Sequence, residues 1–80
     1  MTQPEIYERL QALFRDLFED PALVLTAETT ARDVERWDSL SHVDMMVMVE
    51  EAFGIRFSTR EVTGLANVGA LVQVIERKAA

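Results

Sequence analysis

The spacing of apolar residues at the start of the chain predicts an amphipathic helix. Apolar side chains recur there every three or four positions, as they do along one helix face: Ile6, Leu10, Leu13 and Leu17, widened by Tyr7, Phe14 and Phe18. Pro4 suits the first turn, where its missing N–H is not needed, and Pro21 ends the pattern. We therefore predict a first helix from about Pro4 to Glu19.

A long connection follows, from roughly Asp20 to Trp37. Connections longer than about 12–15 residues are uncommon in compact domains unless they serve a function. Four aliphatic residues are expected to hold this segment against the core: Leu23, Val24, Leu25 and Val34. We also expect a short helical turn between Thr26 and Asp33.

A second helix is predicted from Asp38 or Ser39 to Phe53. The Asp38 carboxylate can accept the free backbone N–H groups at its start, as the side chains of N-cap residues do. Gly54 is suited to a left-handed C-cap, and Ile55 is placed to make the apolar contact that commonly accompanies such a cap.

Two further helices complete the pattern. Ser58 to Glu61 has the S-x-x-E form of a capping box and predicts a short helix that ends near Gly64. Asn67 can cap a last helix. The apolar face of that helix comprises Val68, Leu71, Val72 and Ile75. No segment alternates convincingly as a strand would, so the sequence predicts an all-α bundle in a single domain, residues 1–80.

The second helix carries two apolar stripes, whereas a helix in a small bundle needs only one buried face. At about 100° per residue, the obvious core side comprises Met45, Met46, Val49, Ala52 and Phe53. The other stripe comprises Leu40, Val43 and Val47. Its borders carry Ser39 and Glu50 on one side, and Asp44 and Glu51 on the other. An apolar centre with a charged rim is typical of a docking surface, but packing beneath the long first loop would explain the stripe equally well.

Composition narrows the possible functions. The chain has no cysteine, so it offers no disulfide, thiolate metal site or cysteine nucleophile, and a single histidine disfavours a zinc site. The net charge of −6 disfavours nucleic acid and anionic membranes and favours basic protein partners. The longest apolar run, Met45–Val49, is far shorter than the roughly 20 residues of a membrane span. Met1–Glu5 lacks the features of a signal peptide, so a cytoplasmic location is expected.

Four residues at the start of the second helix, Trp37-Asp38-Ser39-Leu40, resemble the phosphopantetheine attachment motif of acyl carrier proteins. Asp33-Val34 matches the acid and aliphatic residue that often precede this motif. Further segments agree with the family in order and spacing: Val43-Asp44, Glu50-Glu51, Ala52-Phe53-Gly54-Ile55 and Asn67-Val68-Gly69. The resemblance covers nearly the whole chain. It implies a four-helix bundle of acyl-carrier type, with three longer helices, a short third helix and a long loop after the first.

The resemblance implies that Ser39 carries 4′-phosphopantetheine, which a separate phosphopantetheinyl transferase transfers from coenzyme A. Asp38 would help that transferase to hold its metal ion. Acyl groups are then held as thioesters on the thiol of the arm. The chain would thus be a carrier and not an enzyme, with no catalytic residue or metal ligand of its own, and it is expected to be a monomer.

The resemblance also implies partners: acyl-transferring and acyl-modifying enzymes with basic docking patches. The apolar centre of the docking surface would comprise Leu40, Val43 and Val47. Its acidic rim would comprise Asp44, Glu50 and Glu51. Charges on such a rim mainly set the encounter rate and the choice of partner.

Some positions depart from the pattern of housekeeping fatty-acid carriers. Ser41 stands where many relatives carry an acid, and Arg56 and Arg60 bring positive charge to a region that is usually acidic. The Trp-Asp-Ser-Leu form resembles carriers of polyketide and specialised lipid pathways. We therefore expect a dedicated set of partners, with fatty-acid, polyketide and other lipid biosynthesis all left open.

Three alternatives remain at this stage. One is a standalone aminoacyl or peptidyl carrier, although Arg36-Trp37 stands where peptidyl carriers usually have two glycines. Another is an unmodified helical interaction module. The third is a serine hydrolase that uses Ser39, His42 and Asp44, although an 80-residue bundle has little room for a buried orienting acid and an oxyanion hole. We instead expect His42 to pack near the core, where it could line the mouth of an acyl cavity.

Overall fold

Four helices make up the fold of residues 2–79, the part of the chain that this computed structural model describes. In chain order they are α1 (Gln3–Leu17), α2 (Ser39–Phe53), α3 (Thr59–Thr63) and α4 (Val68–Lys78). No strand occurs within these residues, and the all-α, four-helix prediction is confirmed. Helix α1 ends before the predicted Glu19, because Glu19 adopts a left-handed backbone conformation with φ of 53°.

Polar side chains cap the first turn of each helix. At α1, Thr2 and Glu5 form a reciprocal capping box, with each side chain accepting the other residue's amide. The predicted box of α3 is present: the Ser58 amide donates to Glu61 over 2.8 Å, and the Glu61 amide donates to Ser58 over 3.2 Å. Asn67 accepts an amide in the first turn of α4 over 2.9 Å. Local chemistry therefore fixes where the helices begin.

The three longer helices share one hydrophobic core, in which α1 packs against both α2 and α4. The fully buried side chains at its centre are Ile6, Leu10, Phe14, Met45, Val49, Val68, Leu71, Val72 and Ile75. Two members of the expected core face of α2 differ from the prediction. Phe53 is only half-buried and Ala52 is exposed. Ala52 is exposed because it borders an open groove between α1 and α2, beside Ala12 and Met48.

The long connection between α1 and α2 forms four hydrogen-bonded turns and no helix, and the two middle turns lie between Thr26 and Asp33. The Thr29 amide donates to the Thr26 carbonyl over 3.2 Å, and the Asp33 amide donates to the Thr30 carbonyl over 3.0 Å. In each of these two middle turns a side chain also accepts the amide of the first residue: Thr29 accepts from Thr26, and Asp33 accepts from Thr30. These local bonds satisfy the backbone without a helix.

Helix α1 holds the first part of this connection in place. The Arg15 side chain donates to the Leu23 carbonyl over 2.7 Å, and the Leu25 amide donates to Gln11 over 3.0 Å. Leu25 is buried and Leu23 is half-buried, but Val24 is 64% exposed, contrary to the prediction. The contacts at Leu23 and Leu25 hold the backbone on both sides of Val24, whose own side chain faces solvent.

The start of α4 anchors the middle of the connection. The Val68 amide donates to the Thr29 carbonyl over 2.8 Å, and the Gly69 amide donates to the Ala27 carbonyl over 3.0 Å. A Cβ atom at Gly69 would lie only 2.9 Å from that carbonyl oxygen. The absence of a side chain at Gly69 therefore permits the close approach of loop and helix.

Helix α3 has no fully buried side chain, although its half-buried Val62 packs against the core, and polar contacts also hold it. Lys78 at the end of α4 pairs with Glu61 over 3.0 Å. Of the helices within residues 2–79, none has the length and apolar character needed to cross a membrane.

Candidate functional site

Ser39 is the first residue of α2, and its side chain is exposed. Within residues 2–79, its hydroxyl makes no hydrogen bond to the protein. An unbonded, exposed hydroxyl at a helix start can be reached by another enzyme. The residue singled out by the sequence motif is therefore also accessible in the fold.

Asp38 is the N-cap of α2, as the sequence predicts. Its Oδ1 atom accepts the amide of Leu40 over 3.1 Å and the amide of Ser41 over 3.0 Å. Together with the Ser41 hydroxyl, these donors lower the pKa of the Asp38 carboxyl, because they stabilise its charged form. Two amides of the first turn are therefore already occupied. An anion attached at Ser39 would rely mainly on the helix dipole and on the amide of Ser39 itself.

His42 is held by a hydrogen bond at each ring nitrogen. The Trp37 indole N–H donates to Nδ1 over 3.0 Å, and Nε2 lies 2.8 Å from the Val62 carbonyl oxygen. The indole can only donate and the carbonyl can only accept, so Nδ1 is the acceptor of one bond and Nε2 the donor of the other. Neither nitrogen is free to take a proton from Ser39. The structure thus contradicts the serine hydrolase alternative, and Asp44, exposed on α2, does not orient the ring.

Trp37 packs the end of the long connection against the bundle. Its ring meets Phe14 edge-on at 5.2 Å between centroids and lies 6.2 Å from Phe18. It also stacks on His42 with 21° between the ring planes. This aromatic cluster ties the residues just before Ser39 to the hydrophobic core.

A cavity of about 250 Å³ opens beside Ser39. Its walls come from the start of α2, the long connection and the segment between α3 and α4, and include Trp37, His42, Met45, Leu65 and Leu71. His42 therefore lines this cavity while remaining fully hydrogen-bonded. The fold is therefore compatible with both predictions for His42, packing near the core and lining the mouth of a cavity.

The second apolar stripe of α2 faces solvent. The exposed fraction is 81% for Leu40, 55% for Val43 and 47% for Val47. The long connection does not cover it, so the alternative in which this stripe packs beneath the loop is wrong. The start of α2 thus presents an apolar strip next to an accessible hydroxyl.

The acidic rim of this stripe is of two kinds. Asp44 and Glu51 are exposed. Glu50 is half-buried, and its carboxylate accepts the amide of Phe57 over 2.8 Å. Glu50 therefore stabilises the segment after α2, a role that the sequence did not reveal because the contact depends on the turn at Gly54.

Ser41 also acquires a role that sequence reasoning missed. Its amide donates to the Asp38 carboxylate and its hydroxyl accepts the Asp38 amide, so the two residues form a capping box. The spacing of Asp38 and Ser41 is that of a capping box, but serine replaces the usual glutamate or glutamine at the fourth position. No group of three or more potential metal-ligating side chains occurs within residues 2–79.

Comparison with known proteins agrees with this geometry. The family described as "phosphopantetheine attachment site" matches residues 8–75. An acyl carrier protein of Thermosynechococcus vestitus is 33% identical over 100% of this chain and 99% of its own length. Acyl carrier protein 2 of Ralstonia nicotianae is 31% identical over 95% of this chain and 94% of its own. The solution structure of holo acyl carrier protein from Geobacter metallireducens superposes with a TM-score of 0.84 at 40% identity, covering 90% of this chain and 83% of that one.

A four-helix fold and an accessible serine at the start of its second long helix are features of a small carrier domain. The chain belongs to the acyl carrier protein family. The prosthetic group of this family is 4′-phosphopantetheine, and the chain is a carrier protein rather than an enzyme. Proteins of this family work with a phosphopantetheinyl transferase and with biosynthetic enzymes.

Proposed function

We propose that Ser39 carries the 4′-phosphopantetheine arm and that residues 1–80 act as one carrier domain for acyl thioesters. The observation that carries this proposal is the exposed, unbonded hydroxyl of Ser39 at the start of α2, inside the matched Trp37-Asp38-Ser39-Leu40 segment. The site fits the group, because no side chain covers the hydroxyl and the cavity beside it leaves room for the arm. The helix dipole favours the attached phosphodiester.

In this reaction the Ser39 oxygen attacks the phosphorus of coenzyme A that bears the pantetheine. A new P–O bond to Ser39 forms, the P–O bond to the nucleotide breaks, and 3′,5′-ADP leaves. The serine proton passes to a base of the transferase. Within residues 2–79 no basic side chain bonds to Ser39, so this base must come from the partner.

We further propose that the exposed face of α2 recognises partner enzymes. Leu40, Val43 and Val47 supply the apolar contact, and Asp44 and Glu51 supply exposed negative charge beside it. Glu50 contributes less freely, because its carboxylate already binds the Phe57 amide. Partners of this surface present a basic patch around an apolar centre.

The choice of pathway rests on two basic residues in a region that is usually acidic in fatty-acid carriers. Arg56 and Arg60 are both exposed, next to the end of α2 and on α3. They add positive charge beside an acidic surface, so a partner needs a mixed charge pattern to match it. This supports a dedicated polyketide or specialised lipid pathway over housekeeping fatty-acid synthesis.

Mass spectrometry tests the attachment directly. The protein is incubated with coenzyme A and a broad-specificity phosphopantetheinyl transferase, and the product is weighed intact and after digestion. We expect a gain of one phosphopantetheine on the peptide that contains Ser39, and no gain in Ser39→Ala. Ser58→Ala is the matched control, since Ser58 is also an exposed serine at a helix start. A folded wild-type protein that gains no mass would leave an unmodified interaction module as the better description.

Cargo is decided by a second measurement. The protein is isolated from its native cell and treated with neutral hydroxylamine, which cleaves thioesters to hydroxamates. The released hydroxamates are then identified. Acyl hydroxamates support the acyl-carrier proposal. Aminoacyl hydroxamates would instead assign the standalone aminoacyl alternative.

A further inference from the structure

Ser41, on the first turn of α2, links the helix to the loop that precedes it. Its hydroxyl donates to the Arg36 carbonyl over 2.7 Å and accepts from the Asp38 amide over 2.8 Å. Its own amide donates to Asp38 Oδ1 over 3.0 Å. One small side chain thus bridges both ends of the segment that presents Ser39.

The loop bends sharply at Arg36. The backbone φ of Arg36 is 74°, in the left-handed region that residues other than glycine rarely occupy, and such a conformation persists only where its surroundings hold it. The ion pair between Arg36 and Glu19 contributes little, because it spans 3.8 Å between largely exposed side chains. Two hydrogen bonds restrain this bend: the Trp37 amide donates to the Val34 carbonyl over 3.2 Å, and the Ser41 hydroxyl donates to the Arg36 carbonyl itself.

Ser41 also binds the Asp38 carboxylate, mainly through its backbone amide and more weakly through its hydroxyl, whose one proton is shared with the Arg36 carbonyl. Oδ1 accepts both amides of the first turn and lies 3.2 Å from the Ser41 hydroxyl. Within residues 2–79, Oδ2 makes no hydrogen bond and belongs to an exposed side chain. The carboxylate therefore has one oxygen bound to the helix and one available next to Ser39.

We propose that Ser41 is a positioning residue for attachment of the arm, because its hydroxyl helps to hold both the Arg36 bend and the Asp38 carboxylate beside Ser39. The inference rests on the proposed function and extends it to a side chain that is not itself modified. A nucleophile displaced by about 1 Å loses much of its reactivity, so a small polar restraint can control the rate.

Transfer kinetics with a phosphopantetheinyl transferase separate positioning from binding. Ser41→Ala removes the hydroxyl, and Ser41→Thr keeps it. For Ser41→Ala we expect kcat to fall on the order of tenfold. We expect the KM for the carrier to change less, because the exposed stripe of α2 is untouched. Ser41→Thr should restore most of kcat.

The matched control is Ser58→Ala, which removes a capping hydroxyl of the same kind from α3. It should lower stability about as much as Ser41→Ala does and leave kcat unchanged. A second readout is the carboxyl of Asp38, followed by carbon-13 NMR as the pH is lowered. Its pKa should rise in Ser41→Ala, which loses the hydroxyl donor, and return in Ser41→Thr.

The possible outcomes are distinct. If wild-type protein takes up no arm, the proposed function fails, and this inference fails with it. If the wild type is modified and folded Ser41→Ala is modified with the same kcat, only the positioning role is overturned. Should Ser41→Ala fail to fold, Ser41→Cys replaces it, since a thiol of similar size is a weak donor. An unchanged kcat in Ser41→Cys would likewise overturn the proposal.

Discussion

Trp37 donates its indole N–H to His42 over 3.0 Å, and the two rings stack at 5.9 Å between centroids. This pair joins the end of the long connection to α2. The other nitrogen of His42 bonds to the Val62 carbonyl and so joins α2 to α3. A single imidazole therefore holds together three segments around the cavity beside Ser39.

His42→Phe should destabilise the fold by about 1–3 kcal/mol, because it keeps an aromatic ring but leaves the Trp37 donor and the Val62 acceptor without their partner. Urea unfolding followed by tryptophan fluorescence measures this loss. The surface variant Gln73→Ala on α4 is the control, since Gln73 is exposed. Equal unfolding midpoints for His42→Phe and the wild type would show that these two hydrogen bonds contribute no stability.

Gly69→Ala should destabilise the protein by about 1–3 kcal/mol, because an added methyl group would press on the Ala27 backbone. The new Cβ would lie 2.9 Å from the Ala27 carbonyl oxygen and 3.0 Å from the Ala27 Cβ. The measurement is the free energy of unfolding in urea, again beside Gln73→Ala. A stability equal to that of the wild type would mean that the loop moves away from α4 without cost.

Three carboxylates in capping boxes make stability depend on acidic pH. Hydrogen bonds from Thr2, Ser41 and Ser58 lower the pKa of Glu5, Asp38 and Glu61 respectively, and each of these carboxyls has amide donors as the largest cause. A lowered pKa in the folded state means that the unfolded chain binds protons more readily. The stabilisation is therefore complete above the unfolded pKa, about 4, and is lost as the pH falls toward the folded value.

Unfolding midpoints in urea between pH 6 and about pH 3 measure this dependence. We expect stability to fall steadily below about pH 4.5 and the fall to be shallower in Asp38→Asn, which keeps the cap but has no charge to lose. An identical slope for Asp38→Asn and the wild type would exclude Asp38 as a contributor.

Charge reversal separates the two kinds of acid on the rim of α2. Glu51→Lys should slow association with a partner enzyme severalfold at low salt and leave stability unchanged, because Glu51 is exposed. Glu50→Lys should slow association and also destabilise the fold by about 1–3 kcal/mol, because the Phe57 amide loses its acceptor.

Transferase kcat/KM at low and high salt, together with thermal unfolding, distinguishes these effects. Glu28→Lys, on the long connection, is the control for net charge, since Glu28 is also exposed. Equal slowing by Glu28→Lys and Glu51→Lys would show that overall charge matters and that no local surface is involved.

Local signals made the helices predictable from the sequence. Capping residues such as Ser58 and Asn67 accept an amide three residues further on. Gly54 ends α2 through its own backbone conformation, with φ of 65°. The periodicity of α1 likewise identified Ile6, Leu10 and Phe14, all fully buried. Such features depend on neighbouring residues alone, which is why pattern and propensity suffice for them.

Contacts between distant segments could not be predicted in this way. The bond from His42 to Val62 spans 20 positions, and the close approach of Gly69 to Ala27 joins a helix to a loop. Neither has a local signature. The exposure of Val24 is a smaller example, because it follows from the Arg15 and Gln11 side chains that bind the backbone of its two neighbours.

Helix α3, with no buried side chain, contributes little to the shared core of the other three helices. Its attachments to the rest of the bundle are few: Glu61 pairs with Lys78, the Val62 carbonyl bonds to His42, and the half-buried Val62 side chain packs against the core. Opening it therefore exposes little apolar surface beyond Val62 and costs far less free energy than global unfolding. Amide hydrogens of α3 should exchange with solvent while those of α1 and α4 stay protected, so the helix that precedes the cavity-lining residues 65–67 can open and close in a molecule that remains folded.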